Sequence, residues 1–154
     1  MNNPKLIFVT GANRGIGLGL TQHLLQNGNR VLMGCRSQQK FLQASQQLKG
    51  QGLPQNYEYI EIDINNAQSY RNLQLGLQGR KLDALINNAG VNLEKRPNSN
   101  TARQNFEQTF RTNFFSTIGL THFVLQNNLI NDGGVVITIG SNLGKMYVLT
   151  NNSL

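Results

Sequence analysis

The strongest constraint on this chain is the alternation of short β-rich apolar runs with segments of helical period. Residues 5–9, Lys-Leu-Ile-Phe-Val, make a run of strand length that Thr10-Gly11 ends. From Gly15 onward Ile16, Leu20, Leu24 and Leu25 recur at helical spacing until Asn27-Gly28 stops them. Residues 31–33 read as a second strand. Ser37 is placed to cap a helix whose stripe is Phe41, Leu42, Ala44 and Leu48, closed by Gly50-Gln51-Gly52. Residues 57–62 alternate as a third strand, residues 66–78 carry Leu73, Leu75 and Leu77 as a helix, and residues 82–86 form a fourth strand. A polar loop with Pro97 follows Gly90, then one long or broken helical region over 101–128. Gly133-Gly134 precede the fifth strand, 135–139, whose near-continuous apolar character is that of a strand buried on both faces. Residues 140–154 read as irregular and polar. This alternation predicts a parallel sheet with right-handed crossovers, an α/β doubly wound domain.

Composition narrows the possible functions. A length of 154 residues suits one domain. No apolar run approaches the ~18–20 residues of a membrane span, and the apolar stretch behind the N-terminus is too short for a signal peptide. The expectation is a cytoplasmic protein with no membrane partner. One cysteine, Cys35, excludes an internal disulfide, and neither it nor His23 or His122 has partners at metal spacing, so no metal is expected. The 22 Asn and 15 Gln are scattered through periodic segments, which argues against a low-complexity tract. The net charge of +7 raises nucleic acid as a partner, but the basic residues stand singly and without interleaved aromatics. A surface that favours a phosphate-bearing small ligand fits them better.

The segment Thr10-Gly11-Ala12-Asn13-Arg14-Gly15-Ile16-Gly17 lies between the first strand and the first helix. A pyrophosphate held against a helix N-terminus needs free backbone N–H groups and close backbone approach, and glycines allow both. A glycine-rich turn with no ligand is the other reading of that spacing taken alone. With Asn87-Asn88-Ala89-Gly90 after the fourth strand, the sequence resembles the short-chain dehydrogenase/reductase family. Asp63 after the third strand, Asn113 in Thr112-Asn-Phe-Phe115 and Ser141 after the fifth strand extend the resemblance in the same order.

The resemblance implies a Rossmann domain over 1–154 that binds a nicotinamide dinucleotide and acts on a small-molecule carbonyl. Carried over residue by residue, it places Gly11, Asn13, Arg14, Gly15, Ile16, Gly17, Arg36, Asp63, Ile64, Asn88, Ala89 and Gly90 at the cofactor, with Ser141 and Asn113 as catalytic residues. Sites that prefer NAD put an acid at the end of the second strand to hold the ribose 2′-hydroxyl. Here Cys35-Arg36-Ser37 stands there without a carboxylate, and Arg14 lies in the glycine loop. Two cations suit the 2′-phosphate of NADP(H); the other reading is two solvated arginines. Asp83 is expected to pack against a helix end, and Asn87 to bridge strands rather than touch ligand.

One element of the family pattern is missing. The resemblance implies a proton-donating tyrosine with a lysine four residues later, an oriented serine, and a helix asparagine that positions a water. After Ser141 the only tyrosine is Tyr147, followed four residues on by Asn151, and the place where compact members put the tyrosine falls on Leu154. The stretches around Asn113 and Ser141 look most like the carbonyl-reductase and menthone-reductase branch, in which an insertion separates serine from tyrosine. The expectation is a domain incomplete at its C-terminus, with five strands present, later strands and helices missing, and the fifth strand an uncovered edge. NADPH-dependent carbonyl reduction heads the functions this implies, with NADP(H) binding without turnover beside it. Asn87 to Gly90 argue against a sugar epimerase, and Arg36 in place of an acid argues against a methyltransferase.

Overall fold

The computed structural model describes residues 3–93 and 102–141. Pro97, Tyr147, Asn151 and Leu154 lie outside the described residues. The strands are β1 (Leu6–Thr10), β2 (Arg30–Cys35), β3 (Tyr57–Glu61), β4 (Leu82–Asn87) and β5 (Ile130–Thr138). All pair in parallel, in the order β3-β2-β1-β4-β5. The helices are α1 (Gly15–Gln26), α2 (Gln38–Gly50), α3 (Tyr70–Leu77), α4 (Ala102–Phe110) and α5 (Thr117–Gln126). None among the described residues is long and apolar enough to cross a membrane.

Side chains that alternate along each strand build two cores, one on each face of the sheet. On one face Ile7, Val9, Val31 and Met33 meet Leu18 and Leu25 of α1 and Ala44 and Leu48 of α2. On the other, Leu6, Phe8, Leu32 and Leu85 meet Tyr70, Leu73 and Leu77 of α3 and Leu120 and Val124 of α5. Alternation breaks once. Leu82 and Leu85 share a face although three residues apart, at the place where the β4–β5 register shifts between Leu82 and Ala84.

Several helix stripes differ from the sequence expectation. Leu75 is 73% exposed while Tyr70, Leu73 and Leu77 are buried, because residues two apart on a helix cannot share a face. Leu42 is exposed on α2, and Ile16 is 65% exposed on α1, where Gly17, Leu18, Thr21 and Leu25 form the buried side. Of the two alternatives for 101–128, one long or a broken helical region, the described residues show the broken one: a π-helical turn, Arg111–Ser116, separates α4 from α5. The fifth strand begins five residues earlier than expected. It is the sheet's edge, and Val135, Val136, Ile137 and Ile139 are exposed rather than buried on two faces.

Two polar clusters hold the periphery. Arg80 donates two hydrogen bonds to Glu58, at 2.7 and 2.8 Å, and two more to the Gly76 and Leu77 carbonyls that end α3. The Arg80 hydrogen bonds hold the Glu58 carboxyl below its ordinary range against the opposing effect of burial, with Arg30 assisting. Asp83 does not pack against a helix end. It accepts from the Leu6 N–H at 2.8 Å and the Asn131 amide at 3.1 Å, with Lys5 Nζ at 3.7 Å, and so ties β1 to the start of β5. Burial alone would raise its pKa, and these partners lower it overall.

Candidate cofactor site

β1 pairs with β2 on one side and β4 on the other, so the crossovers leave it in opposite directions and a crevice opens at the carboxyl ends of the strands. A cleft of about 460 Å³ lies there, lined by residues from the loops after β1, β2, β3 and β4 and by Thr112. Of the positions singled out from the sequence, Gly11, Asn13, Arg14, Gly15, Ile16, Arg36, Asp63, Ile64, Asn88, Ala89 and Gly90 all line it.

The floor is the N-terminus of α1. Arg14 caps it with extended backbone and no side-chain hydrogen bond, and the first turn holds no acid. Its N–H groups and the helix dipole therefore face the cleft, which suits an anion. Gly15 has φ +53°, and a Cβ there would meet nothing within 4 Å, so the backbone lies open to a ligand. Gly17 differs. It is buried and does not line the cleft; a Cβ on it would stand 2.3 Å from the Gly11 carbonyl oxygen and 2.5 Å from Asn88 Nδ2. The missing side chain at Gly17 lets α1 pack against the strand ends, rather than letting backbone approach a ligand.

The loop after β4 is lashed to this floor. Thr10 Oγ1 accepts from the N–H groups of Asn88 at 3.0 Å and Ala89 at 2.9 Å, and Asn88 Nδ2 donates to the Thr10 carbonyl at 2.9 Å. The Asn88 amide thus fixes the turn while its residue lines the cleft. Asn87 is buried, and its amide donates to Thr121 Oγ1 at 2.9 Å, bridging β4 to α5 rather than to another strand.

Arg14, Arg36 and Lys40 stand on the cleft wall, and no carboxylate among the described residues pairs with any of them. Lys40 was not singled out from the sequence; its position in the first turn of α2, behind the Ser37 cap, was the available signal. Cys35 lies at the cleft base. Burial pushes its thiol up to about 11 despite a hydrogen bond from the Ala12 backbone, so it is protonated and unreactive near neutral pH. Asp63 Oδ1 accepts from the Asn65 N–H at 3.0 Å, which shapes the wall after β3.

Asn113 and Ser141 are not among the residues that line the cleft. Asn113 grips its rim: Oδ1 accepts from the Val91 N–H and Nδ2 donates to the Val91 carbonyl, both at 2.8 Å. Both ends of the amide are thereby committed to bracing the loop after β4. Ser141 is exposed, three residues beyond β5, on the edge of the sheet where all the strands end. Sequence reasoning missed Thr10, Lys40, Asn65, Val91 and Thr112 as parts of the cleft or its frame.

The geometry suits an extended anionic ligand laid across the α1 N-terminus. The family model described as short chain dehydrogenase matches residues 5–153. The chain is 33% identical over 153 residues to 15-hydroxyprostaglandin dehydrogenase [NAD(+)] of Rattus norvegicus, covering 95% of this chain and 53% of that protein. It is 28% identical over 142 residues to the NADP-dependent 3-hydroxy acid dehydrogenase YdfG of Escherichia coli, covering 91% and 55%. In fold it matches a short chain dehydrogenase of Mycobacterium smegmatis with a TM-score of 0.79 at 24% identity, over 94% of this chain and 60% of that one. The chain spans about half the length of the curated relatives it matches. With the family model covering nearly every residue and the crevice in place at the strand ends, the chain belongs to the short-chain dehydrogenase family.

Proposed function

We propose that the cleft binds NADP(H), and that the whole protein transfers hydride between this cofactor and a small-molecule carbonyl–alcohol pair, with reduction of the carbonyl as the working direction. The observation that carries the cofactor choice is electrostatic. Arg14 and Arg36 line the cleft with no acid among the described residues paired to either, and Arg36 stands where a 2′-hydroxyl site would need a carboxylate. The relatives' names do not choose for this chain, since one carries NAD(+) in its name and another is called NADP-dependent.

The residues present fit that group. The α1 N-terminus and the open backbone at Gly15 would hold the pyrophosphate, Arg36 and Arg14 the 2′-phosphate, and Asp63 and Ile64 the adenine side. When bound, the cofactor supplies or accepts the hydride. Asn88, Ala89 and Gly90 would form the wall toward its reactive end, and Asn113 braces that wall through Val91. Ser141, at the same edge of the sheet, would orient the substrate carbonyl. No tyrosine in the chain stands four residues before a lysine, so these residues do not themselves supply the proton donor that the family pattern calls for. That observation favours a second reading for residues 1–154 taken alone, NADP(H) binding without turnover.

Fluorescence titration with NADPH and NADH tests the cofactor. Charge-assisted hydrogen bonds are worth about 1.5–3 kcal/mol, so NADPH should bind at least about tenfold more tightly and Arg36→Ala should erase most of that preference. Equal or tighter binding of NADH refutes the NADP reading, and binding of neither refutes both readings. Oxidation of NADPH in the presence of a panel of ketones then separates a reductase from a binding protein.

A further inference from the structure

The π-helical turn Arg111–Ser116 is held by a residue that no role above uses. Asn65, two positions after Asp63, accepts through Oδ1 from the Thr112 hydroxyl at 3.1 Å and the Ser116 hydroxyl at 2.8 Å. Both donors are buried, at 4% and 8% exposure, and they flank Asn113. Buried hydroxyls need partners, and here one amide oxygen serves both ends of the turn. Tyr70 adds a second brace: its hydroxyl lies 2.6 Å from the Ile64 carbonyl and 3.3 Å from the Ser116 carbonyl. A π-turn departs from regular helical pairing and is frequent at functional sites, and bonds from outside the helix bear directly on its geometry.

From this turn Asn113 reaches the other way, to both polar atoms of the Val91 backbone. Asn65 itself lines the cleft beside Asp63 and Ile64. A continuous hydrogen-bonded path therefore runs from the wall after β3, through Asn65 and the π-turn, to the wall after β4. We propose that Asn65 is a positioning residue that couples the adenosine end of the cleft to the wall at Gly90 and Val91. The inference rests on reading the cleft as a dinucleotide site.

Two ligands separate coupling from direct contact. The fragment 2′,5′-ADP occupies only the adenosine end, whereas NADPH also reaches the far wall. Asn65→Ala should weaken NADPH about tenfold while changing 2′,5′-ADP by less than about threefold. Asn65 Nδ2 makes no hydrogen bond among the described residues, so Asn65→Asp keeps the acceptor for both hydroxyls and should restore the ratio of the two affinities. Asn65→Ala combined with Asn113→Ala should weaken NADPH no further than Asn113→Ala alone. Hydrogen exchange at the Val91 amide gives a readout without ligand. It should accelerate about tenfold in Asn65→Ala and in Thr112→Val combined with Ser116→Ala, and not in Asn65→Asp. Equal weakening of both ligands, or unchanged exchange at Val91, overturns the proposal. Failure of the unaltered protein to bind either ligand defeats the cofactor reading, while the exchange measurement still judges the path from Asn65 to Val91.

Discussion

Gly17 and Gly19 lie two residues apart on α1 and should respond to alanine with opposite signs. At Gly17 a Cβ would stand 2.3 Å from the Gly11 carbonyl oxygen and 2.5 Å from Asn88 Nδ2. Ordinary contact begins near 3.4 Å, so roughly 1 Å must be absorbed. The obstructing atom is backbone, on a residue at φ +65° whose N–H is bonded to the Gly34 carbonyl at 2.9 Å. Overpacking costs about 1–3 kcal/mol, and a backbone obstacle puts this site at the upper end. Displacing the Asn88 amide from the Thr10 carbonyl adds about 1 kcal/mol. The better helix propensity of alanine returns up to about 1 kcal/mol, which leaves Gly17→Ala about 3 kcal/mol less stable. For a chain of this size that lowers Tm by about 6–12 °C. Gly19 is exposed, and a Cβ there meets nothing within 4 Å, so Gly19→Ala keeps the propensity gain and raises Tm by about 2–4 °C. Thermal unfolding followed by circular dichroism on both variants decides the matter. A neutral or stabilised Gly17→Ala would refute the packing argument and return Gly17 to the role of a pure ligand contact.

Two further outcomes follow from the ionisable groups. Because Arg80 holds Glu58 below its ordinary value of 4.5, that carboxylate contributes stability above this pH, and the contribution is lost as pH falls through its lower folded value. Glu58→Gln should therefore lower Tm at pH 7 and converge with the unaltered protein as the pH is lowered through the folded value of that carboxyl; a difference that stays constant down the acid limb would show that the ion pair is not responsible. The Cys35 thiol, buried and raised to about 11, should resist iodoacetamide at pH 8 in the folded protein and react fully once it is unfolded. Rapid labelling of the folded chain would mean that the cleft base opens.

Much of the site was legible because it is local. The glycine turn and the Asn87 to Gly90 block are contiguous, and their backbone conformations depend on residues that stand side by side, as at Gly11 and Gly15 with their positive φ. The individual strands and the cationic exit of β2 follow from patterns of ten residues or fewer, and the parallel pairing follows from the alternation of those strands with helices. Roles that depend on distant partners could not be read this way. Gly17 looked like part of a ligand loop, and its packing against Asn88 lies 71 positions away. Asn65 meets Thr112 and Ser116 across 47 and 51 residues, and Asn113 meets Val91 across 22.

The sequence by itself determined that β-rich runs and helices alternate, where the glycine turn before the first helix lies, and that no acid ends the second strand, because each rests on neighbouring residues and their backbone preferences. Only the tertiary structure decided which helix face is buried, as the exposed Leu75 and Ile16 show. It also decided that the 101–128 region breaks into a π-turn and that the Asn113 amide serves Val91. The physical reason is that burial and hydrogen-bond satisfaction are settled between elements, and periodicity along one element cannot say what will stand opposite it.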